Sequence, residues 1–351
     1  MKRCPALLLL PVVLFAASVD DLTFTLNSDG VSYSVTDCLE SATGEMFIPS
    51  TYNGLPVTEI RWLYEWDGTF SYCTSLTSIT IPDSVTSIGD EAFDYCTSLS
   101  SITIPDSVTS IGAHAFRYCS SLTSITIPDG VTSIGEGTFT NCSSLTSITI
   151  PDGMTSIGSS AFYGCKSLSS ITIPDGVTSI GSSAFYRCES LSSITIPDGV
   201  TSIGHSTFQS CNSLTSITIP DSVTSIGIFA FYDTDLSFLE DTNSIKYLIS
   251  ASGNKAYLIN GSSASGNVVL PSNFLGASVA LVASDAFYGC ESLTSITIPD
   301  SVTSIEESAF AYCKSLSSIT IPDSVTSIGE RAFDGCISLT SITIPDSVVH
   351  N

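Results

Sequence analysis

Apolar and polar positions recur along this chain with a fixed period of 23 residues. Phe70, Phe93, Phe116, Phe139, Phe162, Phe185, Phe208 and Phe231 mark it, and Phe287, Phe310 and Phe333 resume it after a 56-residue gap. Within one period Ile79 and Ile81 alternate with Ser78 and Thr80, which predicts a short strand with isoleucine inward and hydroxyls outward. Ile81-Pro82-Asp83-Ser84 predicts a type I turn with Pro at its second position. Val85 and Ile88 open a second apolar side, and Ala92, Phe93 and Cys96 complete a helical or irregular return. The Gly after each second-side Ile, as at Gly89 and Gly112, is expected at positive φ, with Glu306 the exception. A fixed period of this length means a stack of coils, in which no coil can bury its apolar face alone.

Two places depart from the period. Pro49 stands eight residues before Val57 rather than three, with Gly54 between them, and Pro271, Gly276 and Val279 repeat that spacing. Each follows a strand-like, Gly/Ser/Asn-rich stretch, around Phe24 to Tyr33 and Tyr247 to Leu258. The expected organisation is a signal peptide at 1–18, a capping region with a first degenerate repeat at 19–70, a repeat block at 71–235, a cap-like insertion at 236–282 and a second block at 283–351. Ser262-Ser263-Ala264-Ser265-Gly266 leaves a flexible linker as the alternative reading of the insertion.

The leader combines Lys2 and Arg3, an apolar run from Ala6 to Ala17, and small residues at Ala16 and Ser18. The run is shorter than the ~20 residues that span a bilayer, so no membrane insertion is expected after cleavage. At the other end the chain stops at Val348-Val349-His350-Asn351 without a polar closing coil, which makes end-to-end self-association one expected partner mode.

The charge is −24 for the whole sequence; losing the two leading cations leaves 34 acidic against 8 basic residues. Nucleic acid is therefore excluded as a partner. Each coil adds one turn Asp (Asp83, Asp106, Asp129, Asp152, Asp175, Asp198, Asp221). A single carboxylate per coil is turn chemistry rather than a calcium site, so no metal and no cofactor are expected. Of twelve cysteines, ten stand in the repeat column. Coils ~4.8 Å apart hold parallel side chains too far apart and too little convergent for disulfides, so buried free thiols are expected.

Candidate ligand-binding residues fall in two groups. One is a hydroxyl lattice on the strands: Ser78, Thr80, Ser101, Thr103, Ser124, Thr126, Ser147, Thr149, Ser170, Thr172, Ser193, Thr195, Ser216 and Thr218. Its spacing, ~4.8 Å between strands and ~6.7 Å between alternate residues, resembles the flat Thr-x-Thr faces of ice-binding solenoids; ordinary solvated strand residues would look the same. The other group lies where the coils differ most, beside the return: Tyr95, Arg117, Tyr118, Tyr163, Tyr186 and Arg187, residue types that favour interfaces. Asn141 and Asn260 head N-x-S patterns and are glycosylation candidates. His114 and His205 stand nearly four coils apart, roughly 19 Å along the stack, and form no dyad. With no nucleophile elbow, phosphate loop or clustered metal ligands, catalysis is not expected.

The pattern L-x-x-I-x-I-P-x-x-V-x-x-I-x-x-x-A-F-x-x-C resembles the treponemal-type, BspA-like class of leucine-rich repeats, coil by coil over 71–235 and 283–351. The resemblance implies a curved right-handed solenoid with a parallel sheet on its concave side, and a secreted or surface protein associated with adhesion. It brings no catalytic residues. The function expected is a non-enzymatic extracellular binding protein for a protein or glycan; ice or crystal binding through the hydroxyl ladders, or a structural spacer, are the alternatives.

Overall fold

The computed structural model describes residues 17–62 and 68–349. Most of the leader lies outside the described residues.

Each coil contributes two short strands to two parallel ladders. Ser78 pairs with Ser101, Ile79 with Ile102 and Thr80 with Thr103, a shift of one full repeat, and Ser87–Ile88 pairs with Ser110–Ile111 in the same way. Register is set because a one-residue slip would turn Ile79 outward and Ser78 inward. Between the ladders the chain turns at Pro-Asp. The Val85 N–H donates to the Pro82 carbonyl at 3.0 Å, so the turn spans Pro82–Val85 and Pro stands first, one place earlier than the sequence pattern indicates. The returns contain turns and no α-helix; the single helical element among the described residues is a 3-10 turn at Val19–Asp21.

The return is where the backbone is unusual. Two residues per coil, two before and two after each Phe, adopt left-handed φ: Glu91 (52°) and Tyr95 (55°), His114 (56°) and Tyr118 (59°). Left-handed residues between right-handed ones send alternate N–H groups along the stack. Glu91 N–H donates to Ala113 O at 2.8 Å, Phe93 to Ala115 at 2.8 Å and Tyr95 to Arg117 at 2.9 Å. Gly89 and Gly112 are not at positive φ, which corrects the role assigned to them from sequence. Their position is one of close approach: at Gly158 a Cβ would stand 2.6 Å from the Gly135 carbonyl carbon.

Stacked side chains form the core. Phe70 through Phe231 make one row of rings with centroids 5.2–5.9 Å apart, and Phe287, Phe310 and Phe333 make a second. All eleven described cysteines carry free, buried thiols. Eight of the ten in the repeat column donate to the Phe carbonyl one coil back, as Cys96 does to Phe70 O at 3.1 Å, while Cys73 donates to Leu39 O and Cys290 to Ala264 O; burial raises the thiol pKa of Cys119 and Cys165 well above the ordinary value.

Two segments seed the ladders with one topology. Tyr33–Cys38 pairs antiparallel with Leu22–Leu26 and parallel with Leu55–Ile60, which passes to Ser87–Ile88. Likewise Lys255–Asn260 pairs antiparallel with Lys246–Ile249 and parallel with Ala277–Val282, which passes to Ser304–Ile305. The second unit is docked on the coil before it: Ala251 N–H donates to Ile219 O at 2.7 Å and the Tyr257 hydroxyl to Pro220 O at 2.9 Å. Asp221, one of the turn aspartates, accepts from the Ser252 hydroxyl at 2.7 and 2.8 Å.

Candidate functional site

Three surfaces hold the candidate residues. On the strand face, none of the fourteen hydroxyls from Ser78 to Thr218 bonds to a protein group among the described residues, whereas hydroxyls in neighbouring columns do. Ser100 Oγ donates to Thr77 O at 3.1 Å and Thr155 Oγ1 to Thr132 O at 3.0 Å, each one coil back. Those columns stitch coils together, and the fourteen are left to face solvent. Most are exposed; Ser78 and Thr218 are half-buried. Their ladder is broken: Ser101–Thr103 and Ser124–Thr126 belong to separate sheets, and Ser170 and Thr172 lie outside any strand.

The return face sorts the tyrosines differently from the sequence reading. Tyr95 and Tyr118, two residues after Phe, stack at 4.2 Å, and Tyr72, overlooked in sequence, extends the row at 5.0 Å. Tyr163 and Tyr186, one residue after Phe, form a separate pair at 4.7 Å, with Arg187 5.6 Å from the Tyr186 ring. Arg117 is engaged already: Nε and Nη2 donate to Asp94 at 3.0 and 2.6 Å, and Glu91 lies 3.8 Å away. Asn141 is half-buried at left-handed φ, its N–H donating to Tyr163 O at 2.6 Å. Asn260 is exposed, and its carboxamide oxygen accepts from the Ser262 N–H and hydroxyl at 3.0 and 2.8 Å.

The third surface was not read from the sequence. A cleft of about 610 Å³ opens where the two repeat blocks meet, between the return of the coil at 227–234 and that of the coil at 283–289. Ile226, Phe231, Phe238, Ile259 and Ala283 give it apolar walls, and Phe229, Tyr232 and Tyr288 expose aromatic surface beside it. Its size is that of a small-ligand or peptide site, ~300–1,000 Å³. Asp285 and Glu307 line it, and His205 Nε2 lies 3.6 Å from Glu307 Oε2. Partial burial, then the neighbouring Glu307 charge, push the Asp285 carboxyl up to about 6, with His205 acting the other way. The signal in the sequence was the 56-residue gap in the Phe period, which marks a place where a return is missing.

A raised Asp285 pKa has a stability consequence. The folded state holds this proton more tightly than the unfolded chain, so the cost of ionisation is present above about pH 6 and relieved as pH falls toward 3.8. Two units correspond to about 3 kcal/mol, and the half-exposed position reduces this to about 1 kcal/mol. Asp285→Asn is expected to stabilise the fold near neutral pH and to be neutral near pH 4; thermal melts of both proteins across that range check it, and a pH-independent difference counts against it.

Stacked coils with one parallel strand column under another, an inward Leu/Ile lining and an aromatic row define a leucine-rich-repeat solenoid. The model of the BspA type leucine-rich repeat region matches residues 66–158, 132–256 and 278–350, in six copies, and the chain belongs to this family. It is similar to a leucine-rich cell surface protein from Faecalibacterium prausnitzii A2-165: 35% identity, TM-score 0.53, 95% of this chain and 83% of that one covered. It is also similar to a leucine-rich repeat protein from Bacteroides ovatus ATCC 8483, at 30% identity and TM-score 0.55, with 95% and 84% covered. No curated protein matches.

Proposed function

We propose that this is a non-enzymatic binding protein of the cell exterior that engages a protein or glycan through its solenoid surface, as an adhesin does. Support for the location comes from the similarity to a leucine-rich cell surface protein and from the acidic charge; no helix among the described residues is long and apolar enough to cross a membrane. The observation that carries the binding reading is the division of labour among the hydroxyls. Neighbouring columns spend their donors on the preceding coil, while Ser78 through Thr218 keep donor and acceptor capacity open along the stack. Many weak polar contacts over a long rigid face then add through multivalency. The breaks in the ladder count against a lattice-matching role, which needs one flat uninterrupted array.

The test is a triple substitution on alternate coils, Thr103→Arg, Thr149→Arg and Thr195→Arg, probed on arrays of glycans and extracellular matrix proteins. These sites are exposed, so each is expected to change stability by no more than about 0.5 kcal/mol. Array partners of the wild-type chain should bind the variant at least about tenfold more weakly. Unchanged binding by a stably folded variant would overturn the strand face as the site; no array binding by the wild type would overturn the adhesin reading.

A further inference from the structure

In the interior coils the return is held to the next by three N–H donors, at Phe−2, Phe and Phe+2. For the coil before the last of block one they are Ser206, Phe208 and Ser210, donating to Ile228, Ala230 and Tyr232 at 2.8–2.9 Å. In the last coil the same positions are Phe229, Phe231 and Asp233, and none of their N–H groups meets an acceptor among the described residues. Across the cleft, block two begins with carbonyls that should receive such donors. Ala286 O is met by Gly261 N–H at 2.6 Å, while Ser284 O and Tyr288 O have no donor among the described residues. The strands of the insertion pair into the sheets of block two and supply no full return between Phe231 and Phe287. Its Ile259–Ser262 run occupies one side only and places the side-chain-free Gly261 against the Phe287 ring.

The gap is thus edged by main-chain donors on one wall and acceptors on the other, above an apolar floor. A backbone folded like the other returns satisfies both edges at once, a main-chain addition comparable to a peptide joining an open sheet edge. Charge narrows the choice. The lining carries Lys246 and Arg331 against Asp233, Asp285 and Glu307, with Arg331 3.5 Å from Glu330 and Glu307 3.6 Å from His205, so the acidic side prevails.

We propose that the junction cleft receives a polypeptide segment that takes the conformation of the missing return, with an aromatic side chain on the Phe231, Phe238 and Ile259 floor and a Lys or Arg beside Asp285 and Glu307. This site stands whether or not the hydroxyl face binds anything. The chain itself contains a model for the occupant: Gly-Ala-His-Ala-Phe-Arg-Tyr, residues 112–118, is a return with an aromatic centre and a flanking Arg.

The experiment uses that heptapeptide, capped at both ends, with the mature chain. Amide exchange is expected to slow at Phe229, Phe231 and Asp233 on adding peptide, with no change at the matching amides of interior coils. Three peptide controls (backbone N-methylation, Phe→Ala and Arg→Glu) should each bind at least about tenfold more weakly. Asp285→Lys and Glu307→Lys in the protein should do the same while still giving a cooperative melt; the Thr103/Thr149/Thr195 triple variant should bind the peptide as the wild type does. No protection at the three amides, or equal binding of the N-methylated peptide, would overturn the proposal.

Discussion

Phe162→Ala is expected to unfold the middle of this molecule. Phe162 is fully buried between Phe139 and Phe185, with ring centroids 5.6 and 5.4 Å away. Truncating a buried Phe costs about 3–5 kcal/mol, a large part of the 5–15 kcal/mol by which a folded domain is stable. Here the loss is not local. Each coil is held only by its neighbours, so a coil that loses its ring weakens two interfaces and separates the coils on either side. The corresponding change at Phe333 should cost clearly less, because that ring is half-buried and stacks on Phe310 alone, at 5.5 Å. Urea unfolding of the two variants separates these cases: Phe162→Ala should shift the midpoint more and split the transition, and equal, single transitions would show that the row is not a shared core.

How much of this was legible in the sequence follows from what repeats. Phe, Ile, Leu and Cys recur at 23 residues because each must land over its twin, so the coil, the inward faces and the free thiols could be read directly. Left-handed residues could not. They carry Tyr95, His114, Arg187 and Ser206, none of which signals positive φ, and the ladder bonds they make compensate for a conformation that glycine would adopt more readily. The conserved-looking Gly after Ile pointed to φ and proved to mark close approach, since both needs select the same residue for different reasons. The return tyrosines looked like one set and fall into two columns because a shift of one residue at Phe+1 and Phe+2 moves a side chain to another row. The cleft shows in the sequence only as the 56-residue gap in the Phe period, because its walls lie some 50 residues apart in the chain and the feature that makes it is a segment the insertion does not supply. Glu306 belongs here too. Within the two repeat blocks it is the one long side chain at the Gly position, it has no left-handed φ, and it accepts a bond from Ser225 Oγ at 2.8 Å, across the junction. Burial raises its pKa, and the Ser225 and Ser304 hydroxyls oppose that shift.

Gly158→Ala tests the close-approach reading. An added Cβ would lie 2.6 Å from the carbonyl carbon of Gly135, 2.7 Å from its oxygen and 2.8 Å from the nitrogen of Glu136, all backbone atoms that cannot rotate away. Relief requires the two coils to separate, and this would stretch the Gly158 N–H bond to Ile134 O, 2.8 Å in the intact stack. Overpacking of this kind costs about 1–3 kcal/mol. Gly153→Ala, five residues earlier in the Pro-Asp turn, is the internal control: its nearest neighbour would be Asp129 O at 3.6 Å, ordinary contact, and sister coils carry Ser84 or Ser107 there. That substitution removes backbone freedom from the unfolded chain at no steric cost, and is expected to be neutral or to stabilise by about 0.4–1 kcal/mol. The two alanines differ in whether the backbone of the preceding coil is within clashing reach. If both melt alike, the recurring Gly after Ile has some other role; if Gly158→Ala alone falls, main-chain contact between coils sets the spacing on which the aromatic row, the return ladder and the open edge at the junction all depend.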